Sequence, residues 1–336
     1  MLSLKAFCIS HIKDVDGLSS AALVVAATGA EVLLSDYASL MQNLDRVPGD
    51  TEQLVLCDLG SDNANLDAFV SKMKEIALRA KVTYIDHHYA TKTTKLRLRR
   101  AGVKLVHDES ECSSVLTYMT FRDVLPERAR TVALLGAVTD YMDDSPLARG
   151  MMEQTDRQFI LLEASMLAYA VARKGSDKGF PEMVVGELSK MRHPHEMEGV
   201  PGYAVEQLSA VVRLGEEVRR HGKKVGNLAY VITSQRSTGN AAKLLIGELG
   251  AAVGVAMNEQ EKGWYEVSLR CTSGCRVHLG NTISRIASEL GGSGGGHKKA
   301  AGCRVPVGRM KEMLEKLSQA VRTSNGTPKE RLAAYG

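Results

Sequence analysis

Short apolar runs, each closed by a polar or acidic group, recur through the first 140 residues and alternate with stretches of helical period. Residues 4–10, 31–34, 53–57, 81–85 and 103–106 predict strands. Between them, residues 18–27 form an Ala-rich helix candidate, and 65–79 place Leu66, Phe69, Val70, Met73, Ile76 and Ala77 near a 3.6-residue period. Residues 113–121 and 131–138 also predict helices. Strands alternating with helices imply an α/β fold with a parallel sheet and helices on both faces, and parallel strands bring their carboxyl ends to one edge.

The chemistry of the chain collects at that predicted edge. His11-Ile12-Lys13-Asp14-Val15-Asp16-Gly17 follows the first strand, Asp58-Leu59-Gly60 the third, Asp86-His87-His88 the fourth, and Thr139-Asp140 closes an apolar segment. In extended geometry Asp14 and Asp16 point to one side, with Gly17 making the turn into the helix. Two such acids repel unless a cation lies between them. Carboxylates and imidazoles without thiolates favour Mn²⁺, Mg²⁺ or Fe²⁺ over a structural zinc. Donors in this number exceed one ion's needs, so two ions roughly 3.5–4 Å apart, sharing a carboxylate, are expected, and phosphoester hydrolysis is the common use of such a pair.

The second half reads differently. Helices are predicted over 151–173, 181–191 and 202–221, with His193-Pro194-His195-Glu196 as a solvated connector. Strands at 228–233, 251–257 and 265–270, with helices at 240–249, 282–290 and 307–321, predict a smaller α/β module. The expected division is a metal-binding domain over 1–150, a helical link over 151–225, a substrate-binding domain over 226–322 and a frayed tail over 323–336. The run Gly291-Gly292-Ser293-Gly294-Gly295-Gly296-His297 reads as a loop whose backbone N–H groups cradle an anion. His297, Lys298 and Lys299 add donors and local charge, and Arg270 is placed to bind a phosphate through two donors.

Composition adds limits. The 336 residues include 43 basic and 39 acidic side chains, a net charge of +4, so a polyanionic partner must be met by local groups. Six cysteines without a repeated pair motif imply free thiols and a cytoplasmic protein, and the spacing of Cys271 and Cys275 does not complete a zinc site. No apolar run reaches the roughly 20 residues that span a bilayer, so no membrane segment is expected. Aromatic residues make up 5% of the chain, which argues against a long base-stacking platform.

Asp14-Val15-Asp16-Gly17, Leu56-Cys57-Asp58-Leu59-Gly60, Asp86-His87-His88, Gly136-Ala137-Val138-Thr139-Asp140 and Gly294-Gly295-Gly296-His297-Lys298-Lys299-Ala300-Ala301-Gly302 together resemble, in order, the motifs of the DHH/DHHA1 phosphoesterases. That family includes nanoRNases, 3'-phosphoadenosine-5'-phosphate phosphatases and single-strand exonucleases. The resemblance implies two divalent ions, Mn²⁺ or Mg²⁺. His11, Asp14 and Asp58 would hold one, and Asp16, Asp58, His87 and Asp140 the other, with Asp58 bridging. It further implies that Asp86 orients a histidine, that His88 meets the substrate phosphate, and that Arg270, Gly294, Gly295, Gly296, His297 and Lys298 bind substrate. Two departures stand out: His11 lies three residues before the first acid where the family usually has two, and Tyr141-Met142-Asp143-Asp144 follows Asp140 where the family often has Thr-Gly. The expected activity is hydrolysis of short RNA or DNA oligonucleotides from an end. The alternatives are hydrolysis of 3'-phosphoadenosine-5'-phosphate or a linear dinucleotide, or a non-catalytic nucleic-acid-binding module of a replication or repair complex. A homodimer is left open.

Overall fold

The computed structural model describes residues 4–60, 65–177, 179–234, 238–296 and 298–325, leaving aside the side chains of 260 and 323–325. The chain divides into two compact units, Met1–Leu208 and Ser209–Gly336.

In the first unit, apolar runs become β1 (Ala6–His11), β2 (Glu31–Ser35), β3 (Gln53–Cys57), β4 (Lys81–Asp86) and β5 (Lys104–His107). They form one parallel sheet in the order β2-β1-β3-β4-β5. Between them run α1 (Val15–Thr28), α2 (Leu40–Asp45), α3 (Leu66–Ala77) and α4 (Lys92–Arg100). Alternate side chains face opposite ways, as a strand requires. Cys8, Val55, Cys57 and Ile85 join α1 in one core, while Phe7, Ile9, Leu54, Leu56, Val82 and Tyr84 join α2, α3 and α4 in the other. Leu54 and Leu56 are fully buried, worth about 1.5–3 kcal/mol each in removed apolar surface. The chain then continues through α5 (Ser113–Phe121), α6 (Ala129–Thr139), α7 (Pro146–Met152), α8 (Arg157–Lys174) and α9 (Phe180–Ser189).

Two expectations change here. The helix predicted over 151–173 is two helices, because Asp156 caps α8 by accepting from the Phe159 N–H at 3.1 Å. The helices after residue 150 are also not a free-standing link. Ala148, Met151, Met152, Ile160, Ala164, Leu167, Val184 and Leu188 are buried in the same core as α1 and α6. The boundary between units instead falls within α10 (Val200–His221).

The second unit contains β6 (Lys223–Val225), β7 (Leu228–Ile232), α11 (Thr238–Leu249), β8 (Val253–Glu261), β9 (Trp264–Cys271), α12 (Leu279–Glu289), β10 (Ser293–Gly296), β11 (Ala300–Pro306) and α13 (Met310–Asn325). Its mixed sheet runs β10-β11-β9-β8-β7-β6, with β7 and β8 parallel and the other pairs antiparallel. Residues of α11 pack on one face, and residues of α12 and α13 on the other.

The glycine-rich run is therefore an edge strand where a loop was predicted, with Ser293 opposite Arg304 and Gly296 opposite Ala301. Its glycines answer to packing. A Cβ at Gly294 would sit 2.5 Å from that of Cys303, and Gly296 has φ +134, with its carbonyl 1.9 Å from where a Cβ on Gly280 would lie. Bare backbone lets the start of α12 lie directly against the strand.

Candidate active site

In the sheet order β2-β1-β3-β4-β5, chain progression reverses between β1 and β3, and the crevice beyond the carboxyl ends of two such strands is where open α/β sheets bind ligands. His11 is the last residue of β1, and Asp58 follows β3 directly. Asp58 adopts φ 56, a left-handed conformation that a non-glycine residue holds at a cost of roughly 1–3 kcal/mol. Its N–H donates to the Ile85 carbonyl at 3.0 Å, and its Oδ1 accepts from Ser113 Oγ at 3.0 Å. The strained backbone aims a carboxylate into the crevice.

The Asp14 and Asp16 pair differs from its predicted extended form. Asp14 caps α1, accepting from the Gly17 N–H at 2.9 Å, so Asp16 already lies in the first helical turn. An acid at the cap and another two residues later give the same sequence pattern as an extended pair. Gly17 does not make the turn. It allows contact, since a Cβ there would meet the His11 carbonyl oxygen at 2.3 Å. Asp16 is 1% exposed, and its two oxygens accept from the backbone N–H groups of Ser113 at 2.8 Å and Ser114 at 2.9 Å. Those are the first two residues of α5, so the carboxylate closes a helix N-terminus, where the dipole favours an anion.

The remaining predicted groups converge on Asp58. His11 Nδ1 lies 2.8 Å from Asp14 Oδ2 and 3.6 Å from Asp58 Oδ2. On the other side, His87 Nε2 lies 3.4 Å from Asp58 Oδ1, 3.4 Å from Asp140 Oδ2 and 4.0 Å from Asp16 Oδ2. His11, Asp14 and Asp58 thus form one compact donor set, and Asp16, His87 and Asp140 a second. A third set, Asp58 with His87 and His88, ties the two together. Both ring nitrogens of His11 are buried without a well-directed hydrogen bond, even though Nδ1 is close to two carboxylates. An orphaned imidazole among acids fits a divalent ion, as does the thiolate-free donor set.

Electrostatics agree with that fit. At His11 burial opposes charge, but Asp14 and Asp58 outweigh it and raise the imidazole to about 10. At His87 burial is likewise overcome, by Asp58, Asp16 and Asp140, and the ring is raised to about 9. Burial, then the charges of Asp58 and Asp140, push Asp16 upward. Burial would do the same to Asp58, yet His11 and His87 hold it well below the usual carboxylate range. In the metal-free chain, protons on histidines balance the acids.

Asp86 orients His88, which also borders the cluster, its Nδ1 3.9 Å from Asp58 Oδ1. Asp86, 2% exposed, holds His88 Nδ1 at 2.8 Å through Oδ1 and accepts from Tyr84 Oη at 3.3 Å through Oδ2. That leaves His88 Nε2 to face outward, where Tyr37 Oη lies 2.9 Å away. Tyr37, Ser113 and Ser114 escaped the sequence reading. Tyr37 sits on the β2–α2 connection, and the two serines lie nearly a hundred residues from the acid they anchor, so no local pattern marks them. Glu111 is another such residue: buried, it accepts from Ser145 Oγ at 2.5 Å and the Leu147 N–H at 2.7 Å, fixing the segment after Asp140. In that segment Asp143 pairs with Arg157 at 2.9 Å, which offsets part of its expected acidity. His195 sits apart, with Nδ1 2.5 Å from buried Glu163.

In the second unit, Arg270 is half-buried on β9, and burial lowers its pKa. Its Nη1 donates to the Leu269 carbonyl at 2.9 Å. Gly294, Gly295 and Gly296 lie on β10, Lys298 is exposed just beyond it, and His297 lies outside the described residues. The Lys299 ammonium is already engaged, donating to the carbonyls of Thr272, Ser273 and Cys275 at 3.0, 2.8 and 2.5 Å. It secures a turn and does not supply the free charge expected of it.

The five-stranded parallel sheet and the mixed-sheet unit that follows it share their fold with solved structures, one of them described as a DHH domain. Residues 222–323 match the family model of the DHHA1 domain, and several solved structures share the chain's fold along nearly its full length. Among these is the pGpG-specific phosphodiesterase PggH from Vibrio cholerae, 12% identical, with a TM-score of 0.62 over 95% of this chain and 99% of that one. RecJ from Thermus thermophilus, in complex with Mn²⁺, is 16% identical, with a TM-score of 0.64 over 94% of this chain and 51% of that one. An uncharacterized protein of Methanocaldococcus jannaschii is 38% identical over 99 residues, 28% of this chain and 29% of the relative, so the match spans less than a third of that relative's length. Among the described residues, no helix is long and apolar enough to cross a membrane.

Proposed function

We propose that this protein is a metal-dependent phosphodiesterase that hydrolyses short oligonucleotides from an end, with two divalent ions, Mn²⁺ foremost. The observation that carries this reading is the placement of Asp58, whose Oδ2 faces His11 while its Oδ1 faces His87 and His88. One carboxylate with an oxygen toward each donor set is suited to bridge two ions. His11 and Asp14 would complete one set, and Asp16, His87 and Asp140 the other. Such ions supply Lewis acidity and a water that ionises near neutral pH.

The chain's own residues do the rest. Ser113 Oγ and the N-terminus of α5 fix Asp58 and Asp16 so that the donors need little rearrangement. Burial opposes charge on His88, but Asp86 raises its pKa, and with Nδ1 held by Asp86 it is Nε2 that would face a phosphate oxygen, as a donor when the ring is protonated. Arg270, the backbone of Gly294, Gly295 and Gly296, His297 and Lys298 are proposed to bind a further substrate phosphate. RecJ among the structural neighbours is found in complex with Mn²⁺ and with Mg²⁺, which supports a divalent ion.

A specific observation favours a second substrate class within the same chemistry: one neighbour is a phosphodiesterase specific for pGpG, a linear dinucleotide. Release of mononucleotide from 5'-labelled strands of two to twelve residues, with pGpG and 3'-phosphoadenosine-5'-phosphate alongside and Mn²⁺ present, tests both readings. Turnover of the two- to five-residue strands is the expected result. Full activity on long strands with none on short ones overturns it, and turnover of pGpG alone selects the dinucleotide enzyme.

A further inference from the structure

Helix α4 begins four residues after His88 and carries five cations among nine residues, Lys92, Lys95, Arg97, Arg99 and Arg100, with no acid. The segment 81–107 holds seven basic residues and one acidic residue, more net positive charge than the +4 of the entire chain. The helix buries only Thr94 and Leu98; Lys95 and Arg97 are half-buried, and Lys92, Thr93, Leu96, Arg99 and Arg100 are exposed.

Helix stability does not account for this charge. Cations in the last turn complement the dipole, which covers Arg97, Arg99 and Arg100. Lys92 and Lys95 occupy the first turn, where the dipole disfavours them and an acid is normally placed. Lys92 with Lys95, Lys95 with Arg99, and Arg97 with Arg100 are like-charge neighbours on the helix surface, each working against the helix. Two cations are partly offset, Lys95 by Glu109 at 3.1 Å and Arg97 by Asp67 at 2.6 Å. Lys92, Arg99 and Arg100 are exposed, with no acidic partner among the described residues, and exposed Lys104 follows at the start of β5. A helix that breaks its own local rules in one direction of charge points to a ligand of the opposite charge.

The position of the helix says which ligand. Because β4 is parallel to its neighbours, α4 starts at the edge that holds His87 and His88 and runs away from it for roughly 13 Å. Tyr89 lies between the triplet and the helix and is 73% exposed, an aromatic face at the mouth of the basic stripe. A polyanion leaving the site would meet a ring on which a base can stack and then a row of cations, the combination used for single strands.

We propose that Tyr89 and the outer face of α4 form a track for single-stranded nucleic acid extending beyond the cleaved end. The track adds affinity for strands longer than the dinucleotide unit at the acid cluster. Its hydrolytic arm rests on the phosphodiesterase reading; its binding arm does not.

The test compares wild type with the double variant Arg99→Glu/Arg100→Glu, and with Arg99→Gln/Arg100→Gln as the milder form. The probes are labelled single strands of two and twelve residues. In EDTA, anisotropy titrations between 50 and 200 mM salt are expected to show about tenfold weaker binding of the twelve-mer by the charge-reversed variant. Its log–log salt slope should be shallower by about 1.4, the loss of two phosphate contacts on a single strand. With Mn²⁺, KM for the twelve-mer rises by a similar factor while kcat/KM for the two-mer stays within twofold. Unchanged twelve-mer binding overturns the track, as does an equal loss on both lengths; unchanged binding is also what a protein-docking or lipid-docking role for α4 would give. Should wild type hydrolyse neither probe, the catalytic reading fails and the anisotropy still decides the track.

Discussion

Replacing Gly136 by Ala is a sharp test of how the acid cluster is held together. Gly136 is buried on α6, one turn before Asp140, and a Cβ there would lie 2.2 Å from Ser114 Oγ, 2.5 Å from Asp16 Oδ1 and 3.0 Å from Ser114 Cβ. Neither oxygen is free to move. Ser114 Oγ donates to the Ala133 carbonyl at 2.9 Å, and Asp16 Oδ1 accepts from the Ser114 N–H. Alanine should gain about 0.8–1.0 kcal/mol over glycine in a helix interior. Against this stand about 1–3 kcal/mol for overpacking and about 1 kcal/mol for a disturbed buried hydrogen bond. A net destabilisation of about 2 kcal/mol is expected, a fall of about 4–8 °C in the first thermal transition. Because α6 carries Asp140 and presses on Asp16, a displacement near 1 Å should also lower kcat/KM about a hundredfold. Gly150, on α7, has nothing within 4 Å of the place a Cβ would take. Gly150→Ala should leave activity unchanged and raise the transition slightly. Calorimetry and oligonucleotide hydrolysis read both variants; a Gly136→Ala protein as stable and as active as wild type would refute the packing argument.

Other outcomes follow from the same geometry. Saturating Mn²⁺ should raise the melting temperature of the EDTA-treated chain, with about 2.7 kcal/mol gained at one hundred times Kd; no shift at any concentration removes the metal site. Since Asp14 and Asp58 overcome burial to raise His11 to about 10, and Asp58 does so at His87 to about 9, both rings are protonated at neutral pH without metal. An incoming ion must displace those protons, so affinity should rise from pH 6 to pH 8, with proton release seen by calorimetry in buffers of different ionisation enthalpy; pH-independent binding would contradict this. Tyr37→Phe removes the hydroxyl 2.9 Å from His88 Nε2 and should change kcat while metal affinity stays at the wild-type value. Equal loss of metal binding in that variant would place Tyr37 in a structural role.

Much of the fold was legible because its strands are short apolar runs with an abrupt polar end, and the parallel arrangement follows from intervening helices. The acids at those ends were legible for the same reason. Less visible was anything set by pairing across the chain. The glycine-rich run carries no side chains from which a strand period could be read, and it becomes a strand only through its register with β11. Asp14 and Asp16 show the same limit locally, since a helix cap and an extended pair share one spacing. The break between α7 and α8 did have a signal in Asp156, three residues before Phe159. Tyr37, Ser113 and Glu111 had none, because each acts on a group brought near only by folding.

Metal counting tests most directly whether Asp58 joins two metal sites. After equilibrium dialysis against Mn²⁺, elemental analysis should find two ions per wild-type chain and at most one in Asp58→Ala, whose circular dichroism in EDTA should match wild type and whose hydrolysis should be lost. One ion in the wild-type chain, or two retained by the variant with activity intact, would contradict the account.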